Sequence, residues 1–168
     1  MLKFLDANIF PKINSIQINP EDLELTFKSK RPGSEFFKLS KTSSLYSSIL
    51  NNFPQQFHDF INNFCVVGIQ SVDSRFNNYL HTDIPNRLYA INYVLLNGGD
   101  TVYTTTFDSA NQNMQVYNIP INTWYLLSTY TLYKVEGITG IRTEISIGIP
   151  LENSTEFVDW LNSVSFSV

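Results

Sequence analysis

After Cys65 the chain breaks into eight short runs rich in β-branched and aromatic residues, with turn residues between them. They are Val66–Val72, Asn77–Asp83, Leu88–Leu96, Thr101–Phe107, Met114–Ile119, Trp124–Ser128, Thr131–Val135 and Arg142–Ile149. Short, evenly spaced strands bury their apolar faces by forming a sandwich or by closing on themselves. The spacing therefore predicts a jelly roll or double-stranded β-helix. Ahead of these runs, the alternation of Ile13–Ile18 and of Leu23, Leu25 and Phe27 predicts two further strands. A charged loop, Lys28 to Ser34, carries Pro32-Gly33. Leu45, Ile49 and Leu50 are spaced for one helix face, and Pro54 opens a second helix bearing Phe57, Phe60, Ile61 and Phe64. A last helix, Thr155 to Val164, follows Pro150 and turns Phe157, Trp160, Leu161 and Val164 inward. The expected fold class is mainly β with flanking helices. It is read as one domain over 1–168: supporting strands and helices over 1–64, the β-helix core over 65–150, and a C-terminal helix and tail over 151–168.

Composition narrows the function classes. The 168 residues are 43% hydrophobic and 15% charged, with 13 Phe and 9 Tyr, and the net charge is −4. That balance suits a globular β-rich chain. It disfavours a grip on phosphate backbones, which needs a cationic face, so no nucleic-acid partner is expected. Cys65 is the only cysteine, which excludes an internal disulfide and a cysteine-built zinc site. The first ten residues are broken by Asp6 and Asn8, against a signal peptide, and no apolar window of about 18 residues exists. The expectation is a cytoplasmic protein with no membrane partner.

The residues that carry chemistry gather around Tyr79 to Asp108. His81 and Asp83 stand one residue apart, and on a strand their side chains share a face. An imidazole and a carboxylate so placed are two of the three ligands of a 2-His-1-carboxylate iron site. Taken alone, a His-x-Asp pair is equally a hydrogen-bonded pair that fixes a tautomer. His58, the other histidine, lies off its helix's apolar stripe and reads as a surface residue. Near the C-terminus Arg142, Glu144, Ser146 and Gly148 share one strand face, while Ile145, Ile147 and Ile149 take the other. Asn92, Tyr93, Tyr103, Thr105 and Arg87 are further candidates to line a pocket.

The order His81-x-Asp83, apolar strand, Gly98-Gly99 turn, Tyr103-Thr104 and the final VEGITGIRTEISIGI resembles the 2-oxoglutarate and Fe(II)-dependent dioxygenase superfamily. The likeness is greatest to the short versions in phage and marine-microbe genomes, and covers roughly Val66 to Ile149. It implies a cupin-like double-stranded β-helix that holds iron through His-x-Asp and a distal His, and anchors the far carboxylate of 2-oxoglutarate on an arginine. His81 and Asp83 match the first two ligands and Arg142 the arginine; Tyr103, Asn92 and Ser146 would help to hold the cosubstrate. The distal histidine is absent. Its place, nine residues before Arg142, is Tyr133, which leaves Tyr133 as a doubtful third ligand. Glu144 beside Arg142 would compete with an anionic cosubstrate. The resemblance with these departures implies a dioxygenase-like protein with a degenerate or weakened iron site, and no cofactor if the site is dead. Its alternatives are an active Fe(II)/2-oxoglutarate hydroxylase and a non-catalytic jelly-roll binding or structural module. On the first reading, Tyr133→His would restore a third nitrogen donor.

Overall fold

The computed structural model describes residues 1–13, 16–28, 31–83, 87–108, 110 and 112–166. Among the described residues, eleven strands form two sheets. The strands are β1 (Leu2–Leu5), β2 (Leu23–Lys28), β3 (Ser34–Leu39), β4 (Val66–Asp73), β5 (Tyr89–Leu96), β6 (Tyr103–Phe107), β7 (Met114–Asn118), β8 (Trp124–Ser128), β9 (Tyr133–Glu136), β10 (Ile141–Ile149) and β11 (Ser165–Phe166). The large sheet has the order β11-β1-β8-β5-β10-β4-β3-β2, and the small one β7-β6-β9. An isolated antiparallel bridge between His81 and Tyr133 adds the His81 segment beside β9. From β4 onward the chain crosses repeatedly between the two: β4 in the large sheet, His81 beside β9, β5 in the large sheet, β6 and β7 in the small one, then β8 large, β9 small and β10 large, which is the wrapping of a double-stranded β-helix. The fold is mainly β with flanking helices, as the spacing of the runs predicts.

The strand at the centre explains the layering. β10 is hydrogen-bonded to β4 on one side and to β5 on the other. Its Ile145, Ile147 and Ile149 are fully buried and belong to the main apolar core. That core lies between the large sheet and the helices α1 (Ser44–Leu50), α2 (His58–Phe64) and α3 (Thr155–Ser163). Val67 and Ile69 of β4, Ile91 and Tyr93 of β5, and Trp124 and Leu126 of β8 join it by the same alternation. From the helices come Leu45 and Ile49, Ile61, and Phe157 and Leu161. The Ser43 hydroxyl caps α1 by accepting from the Tyr46 N–H, and the expected start of the second helix holds, with Pro54 ahead of a 3-10 turn at Gln55–Phe57 that runs into α2. Tyr93 was a candidate pocket residue; it instead packs on Trp124 at 4.8 Å between ring centroids and accepts the Ile13 N–H on the helix side.

The structure departs from the sequence reading at three places. The run Asn77–Asp83 is not a strand, since only His81 pairs with a neighbour. A 3-10 turn at Ser74–Phe76 and Asn78 at φ 61 break the extended path, and the Asn77 amide ties the segment to both the N–H and the carbonyl of Ile138. The strand expected over Ile13–Ile18 falls partly on residues 14 and 15, outside the described residues, and 16–18 are irregular. β1, β3 and β11 were not anticipated. No helix among the described residues is long and apolar enough to cross a membrane.

Candidate functional site

Inside the β-helix the chemistry forms two clusters, one on Asp83 and one on Arg142. The Asp83 carboxylate is 4% exposed and fully engaged. Arg31 Nη2 donates to Oδ1 at 2.5 Å, and Arg87 Nε donates to Oδ2 at 2.7 Å. The Tyr133 hydroxyl donates to the same Oδ2 at 2.8 Å. Burial alone would push this carboxyl up. The Arg87 and Arg31 charges and the Tyr133 hydrogen bond outweigh it and hold the pKa down at about 2. Tyr133 moves the other way. Burial, and then the Asp83 charge, raise its pKa well above the ordinary phenol value, so at neutral pH it is a protonated donor.

His81 is locked to the same wall. Its backbone exchanges both hydrogen bonds with Tyr133, and the two rings lie 4.2 Å apart. Nδ1–H donates to the Tyr79 carbonyl at 2.8 Å, which leaves the Nε2 lone pair facing inward. Nε2 is buried with no partner, 4.0 Å from Asp83 Oδ1. Burial lowers the His81 pKa, a shift only partly offset by the bond to Tyr79. The ring is therefore neutral.

The second cluster lies across the interior. Arg142 is 2% exposed. Its Nε and Nη2 donate to Glu144 Oε1 at 2.9 and 2.5 Å, and Nη1 donates to Asn97 Oδ1 at 2.5 Å. The Tyr125 hydroxyl bonds both Glu144 oxygens, at 2.9 and 3.0 Å. Burial would lower the Arg142 pKa, but the Glu144 charge reverses this and raises it. The local backbone is shaped for the pair. Thr143 pairs with Leu96 and Glu144 with Val94, so Leu95 of β5 is the extra residue of a bulge beside the pair. Gly98 at φ +76 lies so close to β10 that a Cβ there would come within 2.7 Å of the Arg142 backbone nitrogen. Only glycine lets this turn set Asn97 against Arg142.

Between the clusters is a cavity of about 30 Å³, lined by Arg87, Tyr133, Arg142, Glu144, Asn92, Thr104 and Tyr125 among others. It has room for about two waters. Most of the residues picked from the sequence thus meet around one interior. Asn92 and Ser146 are opposed on β5 and β10, both buried, and Arg87 Nη1 donates to Ser146 Oγ at 3.1 Å. Besides Tyr93, two candidates do not arrive. Tyr103 is 38% exposed; it and Thr105 alternate with Thr104, so it is Thr104 that faces the cavity. Thr105 donates to Glu136 instead. His58 is bonded to the Phe53 carbonyl through Nε2, at the α2 end. Arg31, Tyr125 and Asn97 went unnoticed in the sequence. Arg31 lies 52 residues from its partner, with no local pattern to mark it; Tyr125 was legible only as one more aromatic in a strand.

These residues do not fit a facial-triad iron. His81 Nε2 has the tautomer and the free lone pair a metal ligand needs. Asp83 does not offer a free oxygen, and two guanidinium groups sit against it where a dication would be repelled. Tyr133 spends its proton on Asp83. Among the described residues no three His, Cys, Asp or Glu side chains gather as a metal site would require.

No family model matches the sequence, and no curated protein matches it. Solved structures do match. An oxidoreductase of the 2OG-Fe(II) oxygenase family from Burkholderia pseudomallei superposes with a TM-score of 0.55 at 12% identity, over 72% of this chain and 70% of that one. The Fe(II) form of HppE with the alternative substrate (S)-1-HPP gives a TM-score of 0.49 at 12% identity, over 88% of this chain and 63% of that one. At such identity the first likeness is one of fold alone: the chain and that oxidoreductase share a double-stranded β-helix.

Proposed function

We propose that this chain is a 2-oxoglutarate/Fe(II) dioxygenase-like protein whose iron site is degenerate, so that the β-helix serves as a binding or structural module rather than as an oxygenase. One observation carries the reading. The carboxylate that would ligate iron is saturated by Arg31, Arg87 and Tyr133. The two guanidinium groups supply in place the positive charge that a metal would bring. A facial triad needs three protein ligands and open positions; this cluster supplies one free nitrogen. The arginine expected to anchor a cosubstrate carboxylate is likewise engaged, by Glu144.

The same geometry alters what Tyr133→His would do. The substitution adds a nitrogen and removes the phenol from Asp83, but both arginines stay. Iron binding should therefore require Arg31 and Arg87 to be neutralised as well.

The test is calorimetric titration with Fe(II) under anaerobic conditions, paired with succinate formation from 2-oxoglutarate in the presence of Fe(II) and ascorbate. Neither binding nor succinate above an Asp83→Ala control is expected from the wild type. Succinate above that control would overturn the reading and make the chain an active hydroxylase.

A further inference from the structure

The Arg142 cluster has the form of an occupied ligand site. We infer that Glu144 is an internal ligand: its carboxylate fills a carboxylate-binding subsite built by Arg142 and Tyr125, and removing it opens that subsite to short monocarboxylic acids such as acetate. This inference is independent of the reading of the Asp83 cluster and involves no metal.

Three observations carry it. First, the donors converge. Arg142 gives two N–H groups to one oxygen, and Tyr125 reaches both oxygens. Asn97 holds the remaining arm of the guanidinium, so the array stays aimed when its acceptor is taken away. Arg142 and Tyr125 are 2% and 3% exposed, so an acid bound there would be desolvated and held by a charge. Second, the acceptor is supplied locally. Glu144 stands two residues from Arg142 on β10, on the same face of the strand. Its carboxylate joins no other element except through Tyr125. Third, there is space behind it and a way in. Glu144 lines the cavity of about 30 Å³, where Asn92 Oδ1 and Thr104 Oγ1 are buried without partners. Truncation would add the side chain's volume to that cavity, and Glu144 retains 11% side-chain exposure, so the vacated position communicates with solvent. An acetate-sized acid fits the vacated volume; an aromatic acid does not.

The experiment uses the full chain. Glu144→Ala, Glu144→Gln and wild type are melted in increasing acetate, benzoate or chloride at constant ionic strength. In Glu144→Ala, acetate at ten times its dissociation constant should raise the midpoint by roughly 3 °C, saturably. Benzoate and chloride should not. Wild type and Glu144→Gln, whose side chains still fill the place, should not respond to acetate. Adding Tyr125→Phe to Glu144→Ala should weaken the response. If Glu144→Ala is too unstable to melt, its refolding yield in acetate against chloride gives the same reading: folding in acetate alone supports the inference. Equal responses to acetate and chloride, failure to fold in either, or an acetate response in wild type equal to that of Glu144→Ala would each overturn it.

Discussion

The two faces of β10 solve different problems. Outward, Ile145, Ile147 and Ile149 press into a core of aliphatic and aromatic side chains under three helices. Inward, Arg142, Glu144 and Ser146 are as deeply buried, yet they face ion pairs, hydroxyls and a small cavity. The outer face gains its stability from apolar area removed from water. The inner face gains little from pairing, because desolvation of the charges offsets most of their attraction. The largest apolar cluster lies on the helix side of the sheet, while the interior mixes smaller apolar groups such as Val72, Phe76, Leu127 and Val135 with the polar ones. The lesson is that a buried charge here depends on its partner: the pair adds little over an apolar pair of the same volume, and either member left alone is costly.

The strongest way to break this comparison is to leave one buried charge alone. Arg142→Ala strands Glu144 and should cost about 4 kcal/mol. Replacing both, with Arg142→Met and Glu144→Leu, should return most of the loss, since an apolar pair of similar volume suits the interior as well. Urea unfolding of the three proteins measures this. If the double variant is as unstable as the single one, the pair itself supports the fold.

On the other face, Ile147→Ala should cost about 3 kcal/mol through lost burial and an unfilled cavity. It should leave the Arg142 cluster undisturbed, so the Glu144→Ala acetate response should survive in the double variant. Urea midpoints together with acetate melts would show coupling between the faces if it exists.

Acid sharpens the contrast within the interior. Asp83 titrates near 3.8 when unfolded and at about 2 when folded. Its pairing therefore stabilises the protein fully above about pH 4 and is lost as the pH falls through 2. The loss should be on the order of 2 kcal/mol. Stability curves of wild type and Asp83→Asn across that window should converge at the acid end.

His81 should give the smallest effect. Its folded pKa lies below 6.5, so just below that pH the unfolded chain binds the extra proton and stability declines. His81→Gln should flatten that decline between about pH 7 and about pH 5. An unchanged slope would mean that the folded ring titrates normally.

Much of this was legible in the sequence, for reasons of period. Alternation fixed the two faces of β10, because a strand's side chains can only alternate. The spacing of turns set seven of the eight core runs as strands, in order. Of His81, Asp83, Tyr133 and Arg142, the first two meet at Tyr133, while Tyr133 and Arg142 line the small cavity. Partnership was not legible. Whether Asp83 would face a metal or a guanidinium depended on Arg31, which arrives from a distant loop, and on Arg87, whose direction no period sets. Tyr103 and Thr105 were the candidates on β6, and the tertiary structure turns the intervening Thr104 to the cavity instead. The run before Asp83 had the residues of a strand but was bent by the Asn77 and Asn78 contacts. The sequence by itself therefore determined the fold class, most of the core strands and the alternation along each, since these follow from local chain geometry. Only the tertiary structure decided that the interior charges neutralise one another, because Coulombic pairing is set by distances of a few ångströms between segments far apart in the chain.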